Sequence, residues 1–229
     1  MTTRKYADFV KALEKRYRCR YDRKQSVMDI LIQNLDLLDM KSLLRKYDIS
    51  YTFRQNDKKS SKSLMECLCN EAWNGDNDVV VETFLVSLRN TNQLHLEHIV
   101  RHACAISHVD TTVDFANRYV PSLLRAIFRD KSDLIDYLTK HINIEHGFLL
   151  GLTDLNVLNE SQKQAIQTGK TVYDQIEFLF YVLEKRPDGD LEPFLRYLEK
   201  THDFNNTAKR IRNAISCLEQ KTIHVESTR

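Results

Sequence analysis

The chain is poor in the residues that interrupt helices. Only five glycines and three prolines occur in 229 residues, so sharp turns are few. Apolar residues recur instead at spacings of three and four, and period-two alternation has little support. The glycines also exclude a chemistry. None sits in G-x-x-x-x-G-K-[ST] or G-x-G-x-x-G, which removes the usual backbone cradle for a nucleotide phosphate. No apolar run approaches the roughly 20 residues of a membrane-spanning helix. The N-terminal MTTRKYADF is charged within its first five residues, unlike a secretory leader. The five cysteines, Cys19, Cys67, Cys69, Cys104 and Cys217, are odd in number and irregularly spaced, which fits reduced thiols in the cytoplasm better than a disulfide framework.

What is present is helix-forming and charged: 29% of residues are Asp, Glu, Lys or Arg. The net charge is +2, unevenly spread. Residues 1–24 hold nine Lys or Arg against Asp8, Glu14 and Asp22, a local +6 that leaves the remainder at −4. One basic pole on an otherwise acidic chain suits contact with acidic surfaces of protein or nucleic acid.

The most informative pattern is internal. VVVETFLVSLRNTNQLHLEHIV (79–100) and GDLEPFLRYLEKTHDFNNTAKRI (189–211) both give an apolar helix with a Phe-Leu pair, a Thr break and a second amphipathic helix. The landmarks Phe84-Leu85, Leu88 and Thr91 match Phe194-Leu195, Leu198 and Thr201. Self-similarity over about 105 residues argues for a duplicated helical domain. The expected organisation is a first domain at 1–108, a helical connector at 109–120, a second domain at 121–218 and a tail or linker at 219–229.

In the first domain the periodicity predicts helices over 3–19, 26–38, 39–48, about 60–73 capped by Ser60, Ser61 or Ser63, 78–89, and 92–105 opened by Asn92. The polar stretch SYTFRQNDKKSSKS (50–63) reads as a loop. In the second domain helices are expected over 121–141 with a bend near 129–132, then 146–155, 160–167 capped by Asn159, 172–185, 191–200 and 205–218. The fold class is all-α, with six helices in each of two bundles.

The second copy resembles the caspase activation and recruitment domain (CARD) of the death-fold superfamily. The residues concerned are FLLGLTDLNVLNESQKQAIQTGKTVYDQIEFLFYVLEKRPDGDLEPFLRYLEKT. The likeness rests on Val157-Leu158 closing helix two, Asn-Glu-Ser-Gln opening a polar helix three, breaks at Gly169 and Gly189, and Phe-Leu-x-x-Leu in helix five. It covers about residues 129–215. The first copy is similar mainly through FLVSLRNTNQLHLEHIV, and a death-effector-like domain is its alternative. Tandem domains of this kind are similar to the N-terminal modules of RIG-I-like receptors and nematode Dicer-related helicases.

The resemblance implies no catalysis, no cofactor and no membrane. It implies instead homotypic contact with CARD-containing or other regulatory proteins, in an antiviral or small-RNA pathway, or an intramolecular contact with a following helicase. A free-standing adaptor of apoptosis or inflammation is the alternative within the fold. Outside it stands a helical RNA-binding protein using the basic first helix.

Side-chain chemistry was sought residue by residue. His95, His98 and His102 share one face of the sixth helix, and Cys67 and Cys69 lie on the fourth. Zinc needs four converging N or S ligands. The thiols of a helical Cys-x-Cys point about 200° apart, so His98, His102, Cys67 and Cys69 are weak metal candidates beside the simpler reading of a polar helix flank. The thiols otherwise read as small core residues, and no catalytic residue is assigned.

The candidate interaction residues are the basic Lys11, Lys15 and Arg18 of helix one, the basic Lys209, Arg210 and Arg212 near the end, and the acidic Asp188, Asp190 and Glu192. Solvation, protein contact and RNA phosphates all remain readings of the helix-one stripe. Opposite patches in the second domain would favour head-to-tail assembly.

Overall fold

Among the described residues, thirteen helices are distributed over two units, Met1–Val120 and Pro121–Arg229. A computed structural model of the chain describes residues 5–17, 25–52, 57–105, 119, 123–130, 132–142, 144, 147–187, 190–201 and 204–227. The chain is all-α apart from one two-residue strand pair. The connector proposed at 109–120 lies outside the described residues except for Tyr119.

The first unit holds α1 (Phe9–Glu14), α2 (Val27–Asn34), α3 (Lys41–Lys46), α4 (Asp57–Asn74), α5 (Asn77–Asn90) and α6 (Leu94–Ala103). Between α1 and α2, β1 (Arg16–Tyr17) pairs antiparallel with β2 (Gln25–Ser26), Tyr17 opposite Gln25. Helix one is therefore much shorter than its apolar stripe suggests. Lys15 is already extended (φ −56°, ψ 141°), and the chain leaves the helix to run as a strand. Of the apolar residues expected on its buried stripe, Tyr6, Phe9, Leu13 and Tyr17 are all at most 5% exposed, and Val10 is half-buried.

The second helix also stops early, at Asn34, and the reason lies far away in sequence. The buried Gln93 amide accepts from Asp36 N–H at 2.8 Å and donates to Asp36 C=O at 2.8 Å. Both backbone groups of Asp36 are thereby satisfied outside a helix. Asn77, at the first turn of α5, treats the segment before α1 in the same way. It accepts from Phe9 N–H at 2.9 Å and donates to Ala7 C=O at 3.2 Å.

Helix α3 is shorter at both ends than expected. Helix α4 begins earlier, at Asp57, so the second half of the expected loop is helical. Ser60 and Ser61 are accordingly not caps. They are buried within α4, and Ser60 Oγ donates to Ser50 C=O at 2.8 Å. Helix α6 starts at Leu94 rather than Asn92, because Asn92 sits in the left-handed region (φ 57°).

The second unit holds α7 (Leu123–Asp130), α8 (Ser132–His141), α9 (Phe148–Asp154), α10 (Glu160–Gln167), α11 (Val172–Leu183), α12 (Leu191–Lys200) and α13 (Asn205–Ser227). The expected bend near 129–132 falls between α7 and α8. Asn159 and Thr171 each close a capping box, with Gln162 and Asp174 respectively, which fixes two helix starts from sequence alone. Gly169 separates these helices, and a Cβ there would lie 2.8 Å from Gln175 N, too close for any other residue.

The last helix overruns its expected end at residue 218 and continues to Ser227, so most of the supposed tail at 219–229 is helical. No proline or glycine follows Asn205 to stop it.

The duplicated landmarks occupy matching places. Phe84, Leu85 and Leu88 on α5, like Phe194, Leu195 and Leu198 on α12, are at most 1% exposed. Thr91 and Thr201 end the two helices with the same pair of hydrogen bonds, although ψ is 13° at Thr91 and 109° at Thr201. Each hydroxyl donates four residues back, to Ser87 C=O at 2.9 Å and to Tyr197 C=O at 3.0 Å. Each backbone N–H points to that same carbonyl, at 3.1 and 3.2 Å.

Each phenylalanine is also one half of an edge-to-face pair, Phe84 with Phe9 and Phe194 with Phe180, both at 6.2 Å between centroids. The partner helix differs between the units, α1 in the first and α11 in the second. Phe84→Ala and Phe194→Ala should each cost about 3–5 kcal/mol, read as lowered urea midpoints. Val86→Ala, on the exposed side of α5, should change stability by less than about 0.5 kcal/mol.

Candidate interaction surfaces

The basic stripe of helix one does not survive as a stripe. Lys11 is exposed, but the Lys15 ammonium donates to Ala103 C=O at 2.6 Å. It thus answers an orphan carbonyl at the end of α6, where a positive charge also complements the helix dipole. Arg18 lies outside the described residues. Deeper in the first unit lies Glu97, a buried carboxylate held by Arg89 at 2.5 Å and Arg101 at 2.8 Å. Burial alone would raise its pKa, and the two guanidinium groups more than offset this and hold it below the usual range.

The weak metal candidates are not brought together. Among the described residues no group of three or more His, Cys, Asp or Glu side chains could hold a metal ion. His98 is exposed and lies against Tyr119, with ring centroids 4.9 Å apart. His102 is half-buried and its Nδ1 meets the Tyr17 hydroxyl at 2.6 Å. Burial of Cys69, and secondarily Glu66, raises its thiol pKa, the opposite of what a thiolate ligand requires.

In the second unit one member of each expected patch, Arg212 and Glu192, pairs with the other. The Arg212 guanidinium on α13 bonds Glu192 on α12 through two nitrogens, each at 3.1 Å. It reaches Glu199, one face further along α12, at 2.5 Å. Arg196 adds a second cation to Glu192 at 3.0 Å. Hydrogen bonds to Arg212, then to Arg196, depress the Glu192 pKa. The cluster ties α13 to α12, and neither Arg212 nor Glu192 is then a spare charge for a second molecule.

Asp190 pairs with Arg186 at 3.5 Å, and Asp188 lies outside the described residues. Of the remaining basic candidates, Lys209 is exposed, and the Arg210 guanidinium lies 3.7 Å over the Tyr137 ring, a cation–π contact.

A cleft that no sequence pattern announces lies beside this cluster. It has a volume of about 530 Å³ and is lined by Leu155, Glu192, Pro193, Arg196, Tyr197 and Lys200. Leu155 follows the last residue of α9. The other five occupy one face of α12, at spacings of one, four, five and eight from Glu192. Gly151 lets the two helices meet: a Cβ there would come within 2.6 Å of Tyr197 Cζ. The Tyr197 ring packs across α9 beside Phe148, centroids 5.6 Å apart. Leu155 remains 47% exposed in spite of its size.

Comparison of the chain with models of known families, with curated proteins and with solved structures found no match in any of the three. No helix among the described residues is long and apolar enough to cross a membrane.

Two outcomes follow from the first unit's polar contacts. Lys15→Met should destabilise by about 1 kcal/mol through the abandoned carbonyl, whereas Lys11→Met should be neutral, both read by urea titration.

For His102, burial first and then the Lys15 charge lower its pKa from 6.5. The unfolded chain therefore takes up the proton at higher pH than the native one. Stability is full above pH 6.5 and is lost as pH falls through that value toward the lower native pKa. His102→Gln should flatten the stability profile between about pH 7 and 5, measured by denaturant midpoints at each pH.

Proposed function

We propose that the chain is a non-enzymatic protein–protein interaction module, a tandem of two six-helix bundles of the CARD type. It serves in the cytoplasm as the N-terminal regulatory part of an RNA-sensing helicase of the Dicer-related or RIG-I-like kind. The observation that carries this reading is the shared helix-five unit. Phe-Leu-x-x-Leu is buried and Thr closes the helix with the same pair of hydrogen bonds in both halves. Counting α7 and α8 as one interrupted helix gives six helices per unit among the described residues. Domains of this size that repeat in tandem act through the surfaces they present.

The charged side chains support the same direction. Lys15 is committed to its own fold, which weakens the basic-helix argument for RNA. Glu97, Glu192 and Arg212 are likewise engaged within their units. Exposed apolar residues are left over: Trp73 (75% exposed), Leu150 and Leu155, the kind of surface that marks contact with protein.

The immobilised chain should retain CARD-containing proteins from a purified panel and should bind RNA weakly, with retention unaltered by Lys11→Glu. Tight RNA binding with a steep salt dependence, together with indifference to every CARD-containing protein, would overturn the reading.

A further inference from the structure

We infer that the cleft between α9 and α12 is a docking site for an amphipathic protein segment that combines an aliphatic or aromatic anchor with carboxylate side chains. This rests on the chain being a protein-interaction module and names where and what the second unit grips.

The openness of the cleft favours a protein segment over a small molecule. Ligand pockets enclose most of their guest. This cleft is walled by two helix surfaces only, and Leu155, Pro193, Arg196 and Lys200 are exposed along it. An open trough of about 530 Å³ instead fits side chains projecting from another backbone. Its apolar part is Leu155, Pro193 and the half-buried Tyr197, an aromatic whose position is fixed by Gly151 and Phe148. A rigid aromatic beside an exposed leucine is the composition of an anchor pocket.

The rim decides the sign of the partner. Three charged residues line the cleft, Glu192, Arg196 and Lys200. Glu192 is already bonded through both oxygens by Arg212, which approaches from α13. Arg212 is shared with Glu199, and Arg196 gives Glu192 a second cation at 3.0 Å. Arg196 and Lys200 stand one turn apart on the outer edge of α12, and with Arg212 they set three cations against Glu192 and Glu199, which leaves one positive charge in excess, nearest Lys200. A segment with carboxylates one turn apart, beside its apolar residue, complements that edge. A basic segment would be repelled.

The test uses the intact chain and two fluorescein-labelled amphipathic peptides with the same leucine and phenylalanine positions. One carries glutamates and the other lysines at the flanking sites. Anisotropy should show saturable binding of the acidic peptide, weakened by salt, and none of the basic one. Leu155→Ser should weaken binding at least about tenfold. Arg196→Glu with Lys200→Glu should reverse the preference. These side chains are exposed, and an unchanged urea midpoint establishes that the variants fold.

Equal binding of both peptides, or acidic binding untouched by Leu155→Ser, overturns the inference. The same variants are then offered a CARD-containing protein that the parent chain retains. Full retention by all of them, with no peptide binding, removes the cleft while leaving the module intact. Failure of the parent chain to retain any such protein removes the broader reading instead.

Discussion

Each unit has at its helix-five element a buried edge-to-face pair of phenylalanines. A ring on that element, Phe84 or Phe194, is fully enclosed and meets a second ring from a different helix. Burying a side chain of this size contributes about 1.5–3 kcal/mol, and the paired geometry adds about 0.5–1.5 kcal/mol. Several of the helices are short, and α1 has only six residues, below the length at which a helix is stable alone in water. Such helices persist through the apolar faces they bury in the core around these rings. The choice of partner ring then distinguishes the units: the first recruits α1, the second α11.

Short helices have a second consequence, because each end leaves backbone groups to be satisfied. The chain solves this with side chains reaching across the fold. Gln93 and Asn77 each pair an amide with both polar groups of a passing strand-like segment. Lys15 takes a terminal carbonyl of α6. Such residues would look like ordinary surface polar groups in a sequence, yet Gln93 is 5% exposed and Asn77 8%. The polar surface that remains for partners is consequently smaller than the count of charged residues suggests.

This explains what could be read from the sequence and what could not. The bounds of α10 and the starts of α10 and α11 were legible because capping boxes are local signatures. So were the buried stripe from Tyr6 to Tyr17 and the matching Phe-Leu-Thr landmarks, since burial follows spacing whether or not the backbone stays helical. The ends of α1 and α2 were not legible. They are set by a strand pair and by Gln93, which acts from 57 residues away. The internal partners of Lys15 and Arg212 were hidden for the same reason: Lys15 and Ala103 are 88 residues apart, and Arg212 and Glu192 are 20 apart. The cleft needed both Gly151 and Tyr197 in place, and no single segment announces it.

The Arg212 cluster bears on inheritance as well as on packing. One guanidinium serves two carboxylates spaced seven residues apart on α12, so no one of the three positions can change sign without stranding the others. Glu192, Glu199 and Arg212, with Arg196 as the second cation on Glu192, form a single unit of variation, to be kept or exchanged together as this chain diverges. Lys200, one turn beyond Arg196, stands outside that cluster and can vary with whatever the cleft comes to hold.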